Sequence, residues 1–306
     1  MSLRYVICLI LFCQCAVVSC GTPANVSAAT PPAAAEEYPD SDKTPKQSNQ
    51  KSSFIIVYKS VGPINLRLYV YQPSAARYLD DKQTAIVFFH GGSWTAGSPI
   101  QFQRQALYLA EHGIVSITVE YRVKKNHGTT PFEALSDAKS AIRWVREHSA
   151  DLNIDPHKII ASGGSAGGQL AAATAIIDNY NDPTDNLAIS SIPNALVLFN
   201  PVLDTQRWKK RFGVNMLAVS PLQQLNKPLP STIIFQGTDD KIAPYPTTVE
   251  FVNKALSLKS PDVRLIAYEK RQHAFYNIDT GPDSDFESTL KQAYDFVLSL
   301  GWQPEQ

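Results

Sequence analysis

The chain has 306 residues, 44% of them hydrophobic, and sets 28 Lys plus Arg against 28 Asp plus Glu, a formal net charge of zero. That size suits one large α/β domain or two small ones, and the neutral balance speaks against a nucleic-acid partner, whose affinity rests on neutralising phosphates. All four cysteines (Cys8, Cys13, Cys15 and Cys20) fall in the first twenty residues, which excludes a disulfide framework or a cysteine-ligated metal in the remainder.

Residues 1–19 open with one basic residue, Arg4, and an apolar run from Tyr5 to Val18. The run is short for a membrane span and reads as the core of a signal peptide. Its end, "VVSC", resembles the bacterial lipobox, which implies that Cys20 is lipidated and becomes the new N-terminus; a conventional cut near Ser19 or Cys20 is the alternative. Residues 20–52 are rich in Ala, Pro, Ser, Thr and charged residues, with almost no large apolar side chains. Such a composition buries too little surface to offset its ordering entropy, so a disordered tether is expected. The protein is thus expected to be exported and held at a membrane by an N-terminal lipid only, in the periplasm or at the cell surface, or else secreted in soluble form.

From residue 53 to about 304 strand-like and helix-like segments alternate. "FIIVY" and "NLRLYVYQP" read as a pair of strands, and "TAIVFF" (84–89) as a buried strand. Phe102, Ala106, Leu109 and Ala110 fall at helical spacing, with Gly113 where a helix would stop. "IVSITVEY" is the next strand; Leu135, Ala138, Ile142 and Val145 mark a second helix. "KIIAS" predicts a strand running into the helix "QLAAATAII". "NALVLFNP" and "STIIFQG" predict two strands, separated by a polar stretch over 204–230 that offers a small cover. Within it "RWKKRF" (207–212) reads as a solvated loop, with a contact to an acidic partner or lipid head group as the alternative. "VRLIAYE" is the last strand, and Phe286, Leu290, Ala293, Val297 and Leu300 make a closing helix. The alternation implies a mostly parallel sheet covered by helices on both faces, whose chemistry lies at the carboxyl ends of the strands.

At one such end stands "GGSAG" (163–167), a G-x-S-x-G between a strand and a helix. That context is the nucleophile elbow, a strained turn that lifts the Ser165 hydroxyl above the sheet and sets it at a helix N-terminus. A serine hydroxyl needs a base. Of six histidines, His112 and His148 sit at surface helices, His157 in a turn and His127 in a loop, and only His273 follows Ser165 and a later strand. The acid that orients the imidazole should follow the intervening strand, where Asp239 and Asp240 are equally placed. "HGGSW" after an early strand supplies Gly91 and Gly92, whose N–H groups, with that of Ala166, would bind an oxyanion, while His90 would orient that loop.

These residues resemble the α/β-hydrolase superfamily. The His-Gly-Gly loop and "GGSAGG" are similar to the hormone-sensitive-lipase-like esterases and the acetyl xylan and feruloyl esterase group, as are "VEYRV", "PFEALSDAKSAIRWV" and "NIDPHKIIASGGSAGG". The first group's elbow usually reads G-D-S-A-G-G; Gly164 here leans toward the carbohydrate esterases. The family's G-T-x-D motif aligns Asp240 with the catalytic acid. Two departures stand out: Gln236 replaces a frequent histidine, and Arg271-Gln272-His273-Ala274 lacks the usual glycines. The resemblance implies an α/β-hydrolase fold and a Ser165–Asp240–His273 serine esterase that needs no cofactor or metal. It would remove small acyl groups, acetyl first, from a carbohydrate or other small ester. A general short-chain carboxylesterase, a formamidase-like hydrolase and a non-catalytic hydrolase-fold binding protein are the rivals. A peptidase of this fold usually carries an N-terminal propeller, for which the tether leaves no room.

Overall fold

A computed structural model describes residues 53–73 and 82–302. The expected leader over 1–19, Cys20 and the whole tether over 20–52 lie outside the described residues. Among those described, no helix is long and apolar enough to cross a membrane.

The frame is one sheet of eight strands: β1 (Ser53–Val61), β2 (Ile64–Tyr71), β3 (Gln83–Phe89), β4 (Val115–Val119), β5 (Ile154–Gly164), β6 (Ala195–Phe199), β7 (Ser231–Gly237) and β8 (Val263–Tyr268). Their order is β1-β2-β4-β3-β5-β6-β7-β8. β1 and β2 are antiparallel to their neighbours, and from β4 through β8 all pairs are parallel. Central strands are buried and mostly apolar because both faces are covered. Along β3, Ala85, Val87 and Phe89 enter one core while Ile86 and Phe88 enter the other. The first core packs α3 (Pro131–Glu147), α4 (Ala166–Ile176) and α7 (Tyr245–Ser257); the second packs α1 (Gln103–Glu111) and α8 (Asp283–Ser299). Three single-turn helices, α2 (Lys124–His127), α5 (Lys209–Phe212) and α6 (Pro221–Gln224), sit in the connections.

Local chemistry fixes the ends of these elements. α3 begins at Pro131 because Thr130 and Glu133 form a reciprocal capping box, the Glu133 carboxylate taking the Thr130 N–H at 2.7 Å. β5 starts at Ile154, earlier than "KIIAS", so His157 lies inside the strand; the register with β3 shifts between the pairs Gln83–Ile154 and Ala85–Ile159. His127 ends α2 and is not in a loop. α7 has no counterpart in the sequence expectations, although Thr248, Phe251, Val252 and Ala255 carry its buried stripe at helical spacing.

One buried ionic cluster ties β1 to this frame. Lys59 lies 2.8 Å from Asp137 and 2.7 Å from Asp182. Arg122, just past β4, grips Asp137 with Nε at 2.8 Å and a second guanidinium nitrogen at 2.7 Å. Removing one member of a buried ion cluster strands the others in a low-dielectric interior. Asp137→Ala should therefore lower the free energy of unfolding by about 3–5 kcal/mol. Urea titration of the purified variant reads this directly; an unchanged midpoint and slope would refute the structural role.

Candidate active site

β5 delivers Ser165 to the sheet edge, and α4 leaves from it. Ser165 has φ 54° and ψ −118°, a left-handed backbone that residues other than glycine rarely adopt. Two bonds hold it there: its N–H donates to the Phe199 carbonyl at 3.0 Å, and its own carbonyl accepts the Val202 N–H at 3.0 Å. The turn closes only because side chains are missing beside it. A β-carbon at Gly167 would strike the Phe89 carbonyl, and one at Gly164 would strike the Tyr276 hydroxyl. Tyr276 thus stands beside the elbow, in the space that an aspartate at position 164 would enter, three residues beyond His273.

Ser165, His273 and Asp240 meet at this edge. His273 Nε2 lies 2.8 Å from Ser165 Oγ, and its Nδ1 lies 2.7 Å from Asp240 Oδ2. The Asp240 side chain is fully buried and that of His273 nearly so. Asp240, not Asp239, makes this contact: Asp239 points to solvent, its N–H bonded to the Arg271 carbonyl. Asp240 accepts from five donors. Oδ1 takes the Ile242 and Ala243 amides, each at 2.8 Å. Oδ2 takes Asn200 Nδ2 at 2.6 Å and Gln236 Nε2 at 3.1 Å as well as His273. Burial alone would raise the Asp240 carboxyl; the bond and charge of His273 and the two amides outweigh it and hold it below the usual carboxylate range. Asn200 was not singled out by the sequence, and Gln236 stood out only as a departure from a family pattern. Both are distant in sequence from Asp240's turn or hidden inside a strand end, and only the fold brings them to one oxygen.

The loop after β3 forms the other wall. His90 is buried and stacks on Tyr121 at 4.1 Å, and its Nδ1 lies 2.7 Å from the Gly91 carbonyl. Burial pushes the imidazole down to about 4, against the weaker pull of that carbonyl, so the neutral ring donates its Nδ1–H. Tyr121 completes the support, donating its hydroxyl to the His90 carbonyl at 2.7 Å. The expectation for Gly91 needs correction. Its N–H already donates to Gln101 Oε1 at 2.6 Å, so it is spent on the loop's own architecture. Among the described residues the Gly92, Ser93 and Ala166 N–H groups have no hydrogen-bond acceptor. Ser93 escaped the sequence reading because only the fold shows which amides are left over.

The 204–230 stretch is a string of single turns rather than a long lid. Arg207, Lys209, Lys210 and Arg211 face solvent, but Trp208 and Phe212 turn inward onto Trp94, at ring separations of 5.5 and 6.1 Å. "RWKKRF" is therefore solvated on one side only; its aromatics pack it onto the loop after β3.

Comparison with known proteins bears on the family and the fold. The model of the family described as BD-FAE matches residues 68–211. Among solved structures, Thermogutta terrifontis esterase 2 superposes with a TM-score of 0.79 at 38% identity, over 86% of this chain and 100% of that one. The probable carboxylic ester hydrolase LipM of Mycobacterium tuberculosis is 28% identical over 64% of the chain and 51% of its own length. The carboxylesterase NlhH of the same organism is 33% identical over 37% of the chain and 34% of its own length. The chain spans about half or less of the length of these two curated relatives.

Two outcomes follow from the geometry. Gly164→Asp should displace Tyr276 and with it the His273 loop, lowering kcat by about 10²-fold, the cost of misplacing a catalytic group by about 1 Å. Combining it with Tyr276→Ala should recover part of that loss, as steady-state kinetics of the single and double variants will show. His90, neutral when folded, gains a proton when the chain unfolds below about 6.5. Its contribution to stability is thus complete above that pH and disappears as pH falls toward about 4, a loss of about 3 kcal/mol. Unfolding free energies measured across that window should fall less steeply for His90→Phe than for the wild type.

Proposed function

The chain belongs to the α/β-hydrolase superfamily of esterases, and on that premise we propose that it is a serine carboxylic-ester hydrolase acting through an acyl-enzyme. The observation that carries the reading is the unbroken line from Ser165 Oγ through both nitrogens of His273 to Asp240, at 2.8 and 2.7 Å. Ser165 attacks the ester carbonyl as His273 Nε2 takes its proton. Asp240 stays ionised and fixes the tautomer, keeping Nδ1–H toward itself and Nε2 free to accept. Negative charge gathering on the carbonyl oxygen is met by the N–H groups of Gly92, Ser93 and Ala166, the last at the N-terminus of α4. His273 then protonates the leaving alcohol, and the tetrahedral centre collapses to the acyl-Ser165 ester. Water enters by the same route in reverse, giving its proton to His273 and releasing the acid.

For the substrate we propose an ester with a short acyl group. The connection over 206–224 is a string of short turns rather than a long lid, and such a short cover suits a small acyl group. Esterase 2 of Thermogutta terrifontis has been solved with propionate bound and with butyrate bound, which favours the same class here. Acetyl groups on a polysaccharide are the natural form of such an ester for an exported enzyme, and the glycine at 164 points the same way.

A fluorophosphonate probe should label the wild type and not Ser165→Ala, and failure to label the wild type would favour the non-catalytic binding protein. Ser165→Ala and His273→Ala should each lower kcat by about 10⁶-fold, and Asp240→Asn by about 10⁴-fold. Acetate release from acetylated xylan, set beside hydrolysis of p-nitrophenyl acetate and butyrate, tests the substrate; activity on the synthetic esters alone would discard the polysaccharide.

A further inference from the structure

We propose that Gln169 is a positioning residue for the amides of the loop after β3, acting through the Trp94 indole and making that hold depend on the 216–225 segment. The inference rests on the esterase reading and adds to it a residue that touches none of the reacting atoms.

Gln169 lies one turn into α4, and its N–H donates to the Ser165 carbonyl at 3.1 Å, so its place is registered to the nucleophile. Its side chain is wholly buried. Burying an amide is unfavourable unless both ends find partners, and both do. Oε1 accepts from Trp94 Nε1 at 2.8 Å, and Nε2 donates to the Val219 carbonyl at 2.7 Å. One side chain therefore joins three pieces: the helix that follows the nucleophile, the loop after β3 and the segment before α6. The rest of α4 is small and apolar at this level, so packing alone would be met by another apolar residue.

What the bond holds in place is a tight turn with a strained backbone. Ser93 and Trp94 have φ of 53° and 55°, consecutive left-handed residues with β-carbons. Such conformations persist only where the surroundings impose them. The Thr95 and Ala96 amides close the turn on the Gly92 carbonyl at 2.9 and 3.2 Å, and the Thr95 hydroxyl donates to the Ser93 carbonyl at 3.1 Å; Trp94 anchors this closed turn to the rest of the fold. Its carbonyl accepts the Lys124 N–H at 2.9 Å, its ring meets Trp208 and Phe212, and its indole N–H is fixed by Gln169. The Gly92 and Ser93 amides immediately precede it. Their direction is set by the torsions that the indole pins, and oxyanion stabilisation is sharply sensitive to direction. Because Gln169 is itself oriented by Val219, loosening the 216–225 segment lets the amide rotate and releases the indole.

The test is a double-mutant cycle on the full chain. Gln169→Met keeps length and burial but can neither accept from the indole nor donate to Val219. Trp94→Phe keeps an aromatic ring and deletes the N–H. Each should lower kcat for p-nitrophenyl acetate by about 10²-fold with KM nearly unchanged, since the amides act on the transition state. In the double variant the loss should be no larger than in either single one, the mark of one shared interaction. Folded Gln169→Met that turns over as fast as wild type overturns the proposal, as do losses that multiply in the double variant. Should Gln169→Met fail to fold, Trp94→Phe alone decides by the same kcat and KM criterion. Wild type that neither takes a fluorophosphonate nor hydrolyses the ester brings down the esterase reading and this inference together. Active wild type with an unaltered Gln169→Met brings down only the inference.

Discussion

The left-handed backbone of Ser165 costs a residue with a side chain about 1–3 kcal/mol, and the structure is arranged so that no relaxed alternative is open to it. β5 and α4 enter and leave at a fixed angle, Phe199 and Val202 take its peptide groups, and the neighbouring glycines admit no bulk that would widen the turn. Other parts of the site are measured from this point. Tyr276 fills the hollow at Gly164 and so relates the histidine loop to the nucleophile. Gln101 takes the Gly91 N–H and reaches Tyr276 and Asn277 at 3.5 Å, at the outer limit of a hydrogen bond, relating the loop after β3 to the same place.

Much of this was legible in the sequence, for physical reasons that differ from residue to residue. The strands β3, β6 and β7 carry apolar runs of three to five residues because both faces are buried, and such runs announce themselves. Ser165 was legible because a strand, a glycine-flanked serine and a helix occur in that order. His273 was legible because it is the only histidine after Ser165. The choice of Asp240 over Asp239 came from a family motif; nothing in two adjacent aspartates says that one is buried and the other solvated. Asn200, Gln101 and Gln169 were silent, and Gln236 showed only as a departure from a family pattern. An amide side chain in a sequence reads as surface, and only tertiary contact turns it into a buried strut. The Gly91 amide failed as an oxyanion donor for the same reason, since its partner Gln101 is ten residues away on a different element. The helix α7 carries a readable stripe, but its Tyr-Pro-Thr-Thr opening resembles a loop.

Two buried carboxylates, Asp137 and Asp240, show how similar chemistry is put to different ends. Asp137 is held by cations, Lys59 and Arg122, that neutralise it outright and lock the end of β4 against α3. Asp240 meets only amides and an imidazole. Neutral donors keep a carboxylate ionised without cancelling its field. That leaves Asp240 able to stabilise an imidazolium, a service that a guanidinium in the same place would abolish. Gln236 fits this logic: it donates without adding a positive charge next to the catalytic ring.

α4 is buried along its whole length, from Ala166 to Ile176. A helix with a wet side can absorb chance replacements there at no cost, but this one has no wet side to offer. Larger residues would collide and polar ones would go unsolvated. The stretch that reads as the plainest in the chain, a run of alanines and glycines, is thus the stretch with the least freedom to drift, and adaptation to a new ester must be written on the loops around it.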